Sequence, residues 1–328
     1  MFLKMVQFNL SIRQISEGDY FMRKKRGSAL MKSIRRNWAL YVMITFPIVY
    51  LIIFNYVPMY GAQIAFRDYK IQKGIWGSEW VGLKHFIRFL SSYNFSTILK
   101  NTLTISLYSL ATFPLPIVFA LLINYVTNRK FQKTIQMVTY MPYFISTVVL
   151  VGMVIQFLDA NSGAINALIR LMGGEGKNWM GYPEYIPHIY IWSDVWQGLG
   201  YGAVIYIAAL AGVPTDLHEA AIVDGATIWQ RICHVDLPVI APTIVIQLIL
   251  KCGSILNVGY EKMYLMQNDL NLATSEIIST YEYKQGLSAA LPQYSYGAAI
   301  GLLLSVVNMV ILIIVNRIAD RISGTALF

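Results

Sequence analysis

Long apolar runs almost free of charge are the feature that most restricts this chain, because they confine it to a lipid bilayer. A helix crosses the hydrocarbon core with roughly 20 predominantly apolar residues. Uninterrupted runs of that length occur at Trp38–Tyr60, Asn101–Asn128 and Thr134–Leu158. A fourth covers about 188–213, broken only by Asp194, and a fifth about 237–258, broken only by Lys251. A sixth lies within Tyr296–Val315. Only 13% of the 328 residues are charged, against about 25% in soluble domains, so a soluble core does not account for the pattern. Prolines at 47, 114, 116, 142 and 242 would break soluble helices. In a membrane, neighbouring helices re-satisfy the freed backbone groups. The expected fold is all-α and polytopic, with six transmembrane helices.

Lys and Arg placement sets the expected orientation. Residues 1–37 carry nine of them, the connection after the second span adds Arg129, Lys130 and Lys133, and the tail adds Arg317 and Arg321. A six-span topology puts all three segments on one side, so both termini are expected in the cytoplasm. The expected division is a basic tail at 1–37, a membrane domain at 38–315 and a short tail at 316–328. One connection fits poorly: 214–236 sets Arg231 against Asp216, Glu219, Asp224 and Asp236. Lys4, Arg13, Glu17 and Asp19 interrupt the start of the chain, which does not read as a cleavable signal peptide. It reads as a basic segment beside anionic lipid headgroups, or as a short amphipathic helix over Phe2–Ile15. Cys233 and Cys252 fall in a loop and in a span, and are not expected to pair.

Motifs for chemistry within the chain are missing. Gly173-Gly174-Glu175-Gly176-Lys177 has neither the spacing nor the following hydroxyl of a phosphate-binding loop. His85, His188, His218 and His234 form no metal-ligand spacing, and no nucleophile–base constellation stands out. A non-catalytic chain without metal or cofactor is expected; if it moves a solute uphill, the energy must come from elsewhere.

The segment between the fourth and fifth spans reads as helix, break, helix. Pro214 and Thr215 open the first helix, with Asp216 and Glu219 suited to its positive end. Gly225 is a stop that enters the left-handed conformation without penalty. A second helix carries Ile228, Trp229 and Ile232, and Leu237-Pro238 ends it and opens the fifth span. Glu219-Ala220-Ala221, three residues, Gly225, nine residues, then Val235-x-Leu237-Pro238 resembles the EAA loop of binding-protein-dependent ABC importer permeases. Val235 stands where that family usually has Ile; Asp224, Ala226 and Pro242 also fit. The resemblance implies that the first short helix docks into a cleft on a cytoplasmic ATPase. It assigns that contact to Glu219, Ala220, Ala221, Asp224, Gly225, Leu237 and Pro238.

Asn55–Tyr69, Thr280–Gly286 and Tyr294–Ala299 look like segments of the permeases for complex sugars, as do Asn308 and Asn316. That resemblance implies carbohydrate cargo, with acidic alginate- or pectin-derived chains among the candidates. It also implies a second permease, related but different, two ATP-binding cassette subunits holding the ATP and Mg, and an extracytoplasmic solute-binding protein. No nucleic acid is implied, and the location is the bacterial inner membrane. Segments 61–98 and 259–295 are the expected docking surfaces for the binding protein.

Ionisable residues inside spans default to functional hypotheses. Asp194, beside Trp192, Trp196 and Gln197, and Lys251 are candidates to line a polar pathway and to pair with each other. Tyr281 and Tyr283 are candidates to stack on sugar rings. The competing reading is that Lys251 snorkels and the aromatic residues form an interfacial belt. Two other function classes were weighed. An ion-driven secondary transporter should show inverted repeats and several midplane acids, and a membrane enzyme should show paired carboxylates or a metal motif. Asp194 is the only acid within a span.

Overall fold

The computed structural model describes residues 36–328, so the amphipathic helix considered for Phe2–Ile15 and most of the basic tail lie outside the described residues. The described chain divides between Ala62 and Gln63 into two compact units. The first holds α1 (Trp38–Leu51), which continues through a π turn at Ile52–Tyr56 to Met59. Pro58 lacks an N–H and its ring clashes with the carbonyl four residues back, and the preceding π turn widens the helix to accommodate this. The apolar helix therefore runs on through the proline to Phe66.

The second unit begins with a two-stranded antiparallel ribbon, β1 (Arg67–Lys70) and β2 (Ser78–Trp80), pairing Arg67 with Trp80. α2 (Lys84–Leu90) follows. The ribbon is tied to the start of the last long helix: the Tyr69 N–H donates to Ser295 Oγ at 2.9 Å, and Arg88 Nη1 donates to Gln293 Oε1 at 2.6 Å. Lys84 donates to Asp68 at 2.6 Å, and that bond holds the Asp68 carboxyl below its usual range.

α3 (Phe95–Ala111) and α4 (Pro114–Asn124) join into one apolar helix, with Pro114 at the first position of its second half, where a missing N–H costs nothing. The run expected as the third span is bent. α5 (Arg129–Tyr140) is amphipathic and capped by Asn128, and α6 (Thr147–Phe157) departs from it at 100°. Pro142 and the Ser146 cap, whose Oγ accepts the Val149 N–H, make the break. After α7 (Ala164–Leu171), α8 (Ile186–Leu210) is a 25-residue helix bent by 78° from α9 (Thr215–Val223).

α10 (Ile228–Arg231) passes through a second π turn, Ile232–Asp236, into α11 (Leu237–Gly253). Here the structure corrects the sequence reading. Leu237-Pro238 does not end a helix: as at Pro58, a π turn precedes the proline and the helix runs unbroken from Ile228 to Gly253. The connection between α11 and the last helix carries α12 (Tyr260–Met266) and α13 (Ile278–Tyr283). α14 (Tyr294–Ser323) extends past the expected boundary at 315 and stops at Gly324 in the left-handed region, φ +62°. The last residues fold back on it, with the Leu327 N–H donating to Asn316 Oδ1 and Asn316 Nδ2 to the Phe328 carbonyl. Among the described residues, four helices are long and apolar enough to cross a membrane, or up to six if each bent pair is one span.

Buried amides fasten the irregular parts. Asn166, fully buried, donates to the Asp159 and Lys177 carbonyls and accepts from the Lys177 N–H and Trp179 Nε1. Asn101 donates to the Ala273 and Glu276 carbonyls, and Asn308 accepts the Leu256 N–H at the end of α11. Apolar helices gain nothing from the hydrophobic effect against lipid, so close backbone approach counts. At Gly200, α8 passes so near α5 that an added Cβ would lie 2.5 Å from the Thr139 carbonyl carbon. At Gly202, two residues on, a Cβ would meet only the Pro116 ring at ordinary contact, 3.5 Å. Gly200→Ala should cost about 1–3 kcal/mol of overpacking and lower the melting temperature of the purified protein, while Gly202→Ala leaves it unchanged. Equal melting temperatures for the two variants would show that the α5–α8 contact is not tight.

Candidate functional site

The segment from Pro214 to Pro238 is built by local rules. α9 ends in a Schellman motif: the Gly225 N–H donates to the Ile222 carbonyl at 3.0 Å and the Ala226 N–H to the Ala221 carbonyl at 2.9 Å. Gly225 sits at φ +75°, where a side chain would be strained. The chain then restarts at Thr227, which forms a capping box with Gln230. That T-x-x-Q signal was legible in the sequence and was missed. Glu219, Ala220, Asp224, Gly225 and Pro238 are exposed, while Ala221 and Leu237 are half-buried. Leu217, Ile222, Val223, Ile228 and Trp229 are exposed beside them, so the projecting turn carries an apolar fringe around an acidic centre.

Beneath this turn lies a polar cluster that sequence reasoning did not assemble. Asp236, in the π turn, is fully buried, and its Oδ2 accepts from the Tyr125 hydroxyl at 2.7 Å. His218 Nε2, on α9, lies 3.2 Å from the other carboxylate oxygen. The Arg231 guanidinium sits over the Tyr125 ring, 5.3 Å from its centre. Burial, then the bond to Asp236, pushes the Tyr125 hydroxyl up to about 12. One carboxylate thus joins α9, the π turn and the end of α4. Asp236 is also no part of a solvated acidic loop, which lessens the misfit with the basic side of the membrane.

Further along the spans, two adjoining cavities share Asp194, Lys251 and Ser254 in their walls. The first, of 230 Å³, is bounded by α3, α8 and the segment after α11; the second, of 430 Å³, reaches to Gln247 and Tyr206. α8 meets them with Tyr190, Asp194, Gly198, Gly202 and Tyr206, a stripe at fourfold spacing on one helix face. Trp192 and Trp196 do not line these cavities and are half exposed; Trp192 Nε1 donates to the Tyr108 hydroxyl. Gln197 Nε2 donates to the Ile145 carbonyl and so satisfies the broken α5–α6 pair.

Asp194 does not pair with Lys251. Its partner is Lys262 of α12, whose Nζ lies 3.4 Å away and also donates to the Tyr190 carbonyl. Lys262 is buried, which lowers its pKa, and Asp194 opposes that shift. Lys251 has no acidic partner among the described residues. Lys262 was overlooked because it lies outside the apolar runs. The two tyrosines also separate. Tyr281 packs inward, its hydroxyl 3.2 Å from that of Tyr296, whereas Tyr283 lines a third cavity.

Residues 113–324 match the family described as binding-protein-dependent transport system inner membrane component. The chain is 41% identical over 302 residues to the polygalacturonan/rhamnogalacturonan transport system permease protein YteP of Bacillus subtilis (strain 168), covering 92% of this chain and 93% of that one. It is 37% identical to protein LplB of the same organism, covering 92% and 95%. Among solved structures, a chain of a bacterial ABC transporter involved in import of the acidic polysaccharide alginate superposes with a TM-score of 0.82 at 38% identity, covering 90% of this chain and 99% of that one. A chain of the bacterial alginate transporter in complex with an alginate pentasaccharide-bound periplasmic protein gives 0.82 at 37% identity. Resemblance in the EAA-like segment, a match over most of the chain and near full-length superposition converge: this chain is a multi-pass membrane protein of the binding-protein-dependent transport system inner membrane component family.

Proposed function

We propose that the chain is a permease subunit of an ATP-driven oligosaccharide importer, coupled to a separate ATPase through α9. The observation that carries this reading is the exposed, Schellman-capped α9, with Glu219 at its centre and an apolar fringe, tied from beneath to buried Asp236. An exposed apolar patch with a defined charge suits a protein partner better than water. In this reading six spans cross the inner membrane with both termini in the cytoplasm. Two cassette subunits bind below, a related second permease completes the pathway, and a solute-binding protein delivers cargo from outside. Closure of the ATPase pair pushes α9. Because Asp236 links α9 to the fifth span and to the end of α4, the push moves helices as rigid bodies.

The relatives carrying polygalacturonan/rhamnogalacturonan and alginate in their names favour an acidic oligosaccharide. The cavity charges fit such cargo. Lys262 compensates Asp194, and Lys251 is left to meet a sugar carboxylate. Asp194 and Lys251 are therefore assigned to the pathway, with Tyr283 nearer its outer end. Trp192, Trp196 and Gln197 are assigned to supporting the helix that carries Asp194. ATP and Mg belong to the partner ATPase.

Three outcomes are expected. Glu219→Lys, an exposed change, should abolish co-purification of the ATPase without altering the melting temperature; an ATPase that stays bound with full transport would refute the docking assignment. Asp236→Ala should destabilise by about 3–5 kcal/mol, the cost of breaking a buried charged cluster, and Tyr125→Phe by about 1 kcal/mol. Thermal unfolding separates the two, and equal effects would mean that Asp236 holds nothing but Tyr125. Lys251→Met should lower uptake of trigalacturonate into proteoliposomes at least about tenfold, as expected for losing a charge-assisted hydrogen bond of roughly 1.5–3 kcal/mol, with ATPase binding intact. Unchanged uptake would remove Lys251 from the pathway.

A further inference from the structure

A third cavity, of 590 Å³, opens beside α12 and α13 and shares Asn257, Val258 and Gly259 with the cavity that holds Asp194 and Lys251. Its size falls within the range of small-molecule sites, about 300–1,000 Å³. Tyr260, Tyr283 and Tyr294 line it, with Asn257, Ser279 and Glu282 as its polar groups. The Tyr260 and Tyr283 rings lie 5.3 Å apart, inclined by 31°, and together present an aromatic wall.

Glu282 is the unusual member. It is half-buried, and it forms no hydrogen bond or ion pair among the described residues. The nearby cations are engaged elsewhere: Lys284 with Glu276 at 3.2 Å, and Lys262 with Asp194. Its carboxyl lies against α14 at Gly301, where any Cβ would collide with Oε1, so the absence of a side chain there makes room for it. Burial alone pushes the carboxyl up to about 7. A half-buried carboxyl with no partner, set in a cavity wall, is a candidate binding group.

We propose that this cavity is an outer subsite for one sugar unit of the transported chain, with the ring lying on the Tyr260–Tyr283 wall and its hydroxyls bonded to Glu282. The proposal rests on the oligosaccharide-importer reading and adds to it a site outside the Asp194–Lys251 cavities. A sugar presents a C–H face that packs on an aromatic ring, and hydroxyls that both donate and accept. A carboxyl that is neutral or charged near pH 7 can take either role toward them. The shared wall at Asn257–Gly259 places the next sugar unit at the cavity that contains Lys251.

The test uses the complete importer, with its ATPase and binding protein, in proteoliposomes. The probes are trigalacturonate and maltotriose, and whichever the wild type imports serves for the variants. Glu282→Met should lower uptake at least about tenfold while leaving the melting temperature the same or higher, because it removes a half-buried carboxyl with no partner. Glu282→Gln, which keeps a polar group, should fall between Met and wild type, and Tyr283→Ala should lose uptake as well. In a chain with Cys233 and Cys252 replaced by Ser, Leu287→Cys, in the cavity wall but outside the aromatic wall and Glu282, should be protected from a membrane-impermeant maleimide by the loaded binding protein with ATP. Glu282→Met should abolish that protection. Uptake within twofold of wild type in Glu282→Met, with protection retained, would overturn the subsite and leave the importer reading standing. A lowered melting temperature in step with lost uptake would make Glu282 a structural group and also overturn it. Wild-type import of neither probe would remove the cargo reading and this site together.

Discussion

Hydrocarbon offers no hydrogen bond to a broken helix, and each place where this chain bends or widens inside its apolar segments is governed by that fact. Where the helices are interrupted, side chains from elsewhere in the fold pair several of the freed groups. Gln197 reaches the Ile145 carbonyl at the α5–α6 break, Ser106 reaches the Ile255 carbonyl, and Asn308 accepts the Leu256 N–H beyond α11. The two prolines preceded by π turns are handled by geometry instead, since a wider turn relieves the clash without ending the helix. Polar side chains are thus spent on holding irregular backbone, and what remains unspent marks the cavities.

Charge follows the same economy of partners. Asp236 is buried against Tyr125 and His218, and Asp194, itself exposed, pairs with Lys262, so neither acid stands alone. Lys251 and Glu282 have no such partner among the described residues, and both line cavities. Three connected cavities run from the aromatic wall at Tyr260 and Tyr283, past Asn257, to Asp194 and Lys251, and on to Tyr206. Glycines at 198 and 202 on the cavity stripe of α8 keep that face free of side chains, while Gly200 on another face serves packing against Thr139.

Much of the candidate site was legible before any coordinates. Helix, glycine stop and second helix from Thr215 onward followed from capping chemistry, because these signals are local. Local signals failed where a proline was read as an ending: Leu237-Pro238 lies in a helix that continues, since tertiary neighbours and a π turn outweigh the lost hydrogen bond. The bend in the third apolar run was not legible, because hydropathy records length and composition but no direction. Its 100° break depends on Ser146 and on Gln197, which is 52 residues from the carbonyl it satisfies.

The sequence by itself determined that the chain is helical and membrane-embedded, and which short segment projects with Glu219 and Gly225, because apolar run length, caps and glycine stops act over a few residues. Tertiary structure alone decided the partners of the ionisable groups. Asp194 meets Lys262 and not Lys251, Asp236 is buried under α9, Tyr281 turns inward while Tyr283 faces a cavity, and Glu282 is left unpaired. Those outcomes depend on helices distant in sequence and on where close packing leaves room. Charges interact through space, and the order of residues along a chain does not specify which of them will be brought within a few ångströms.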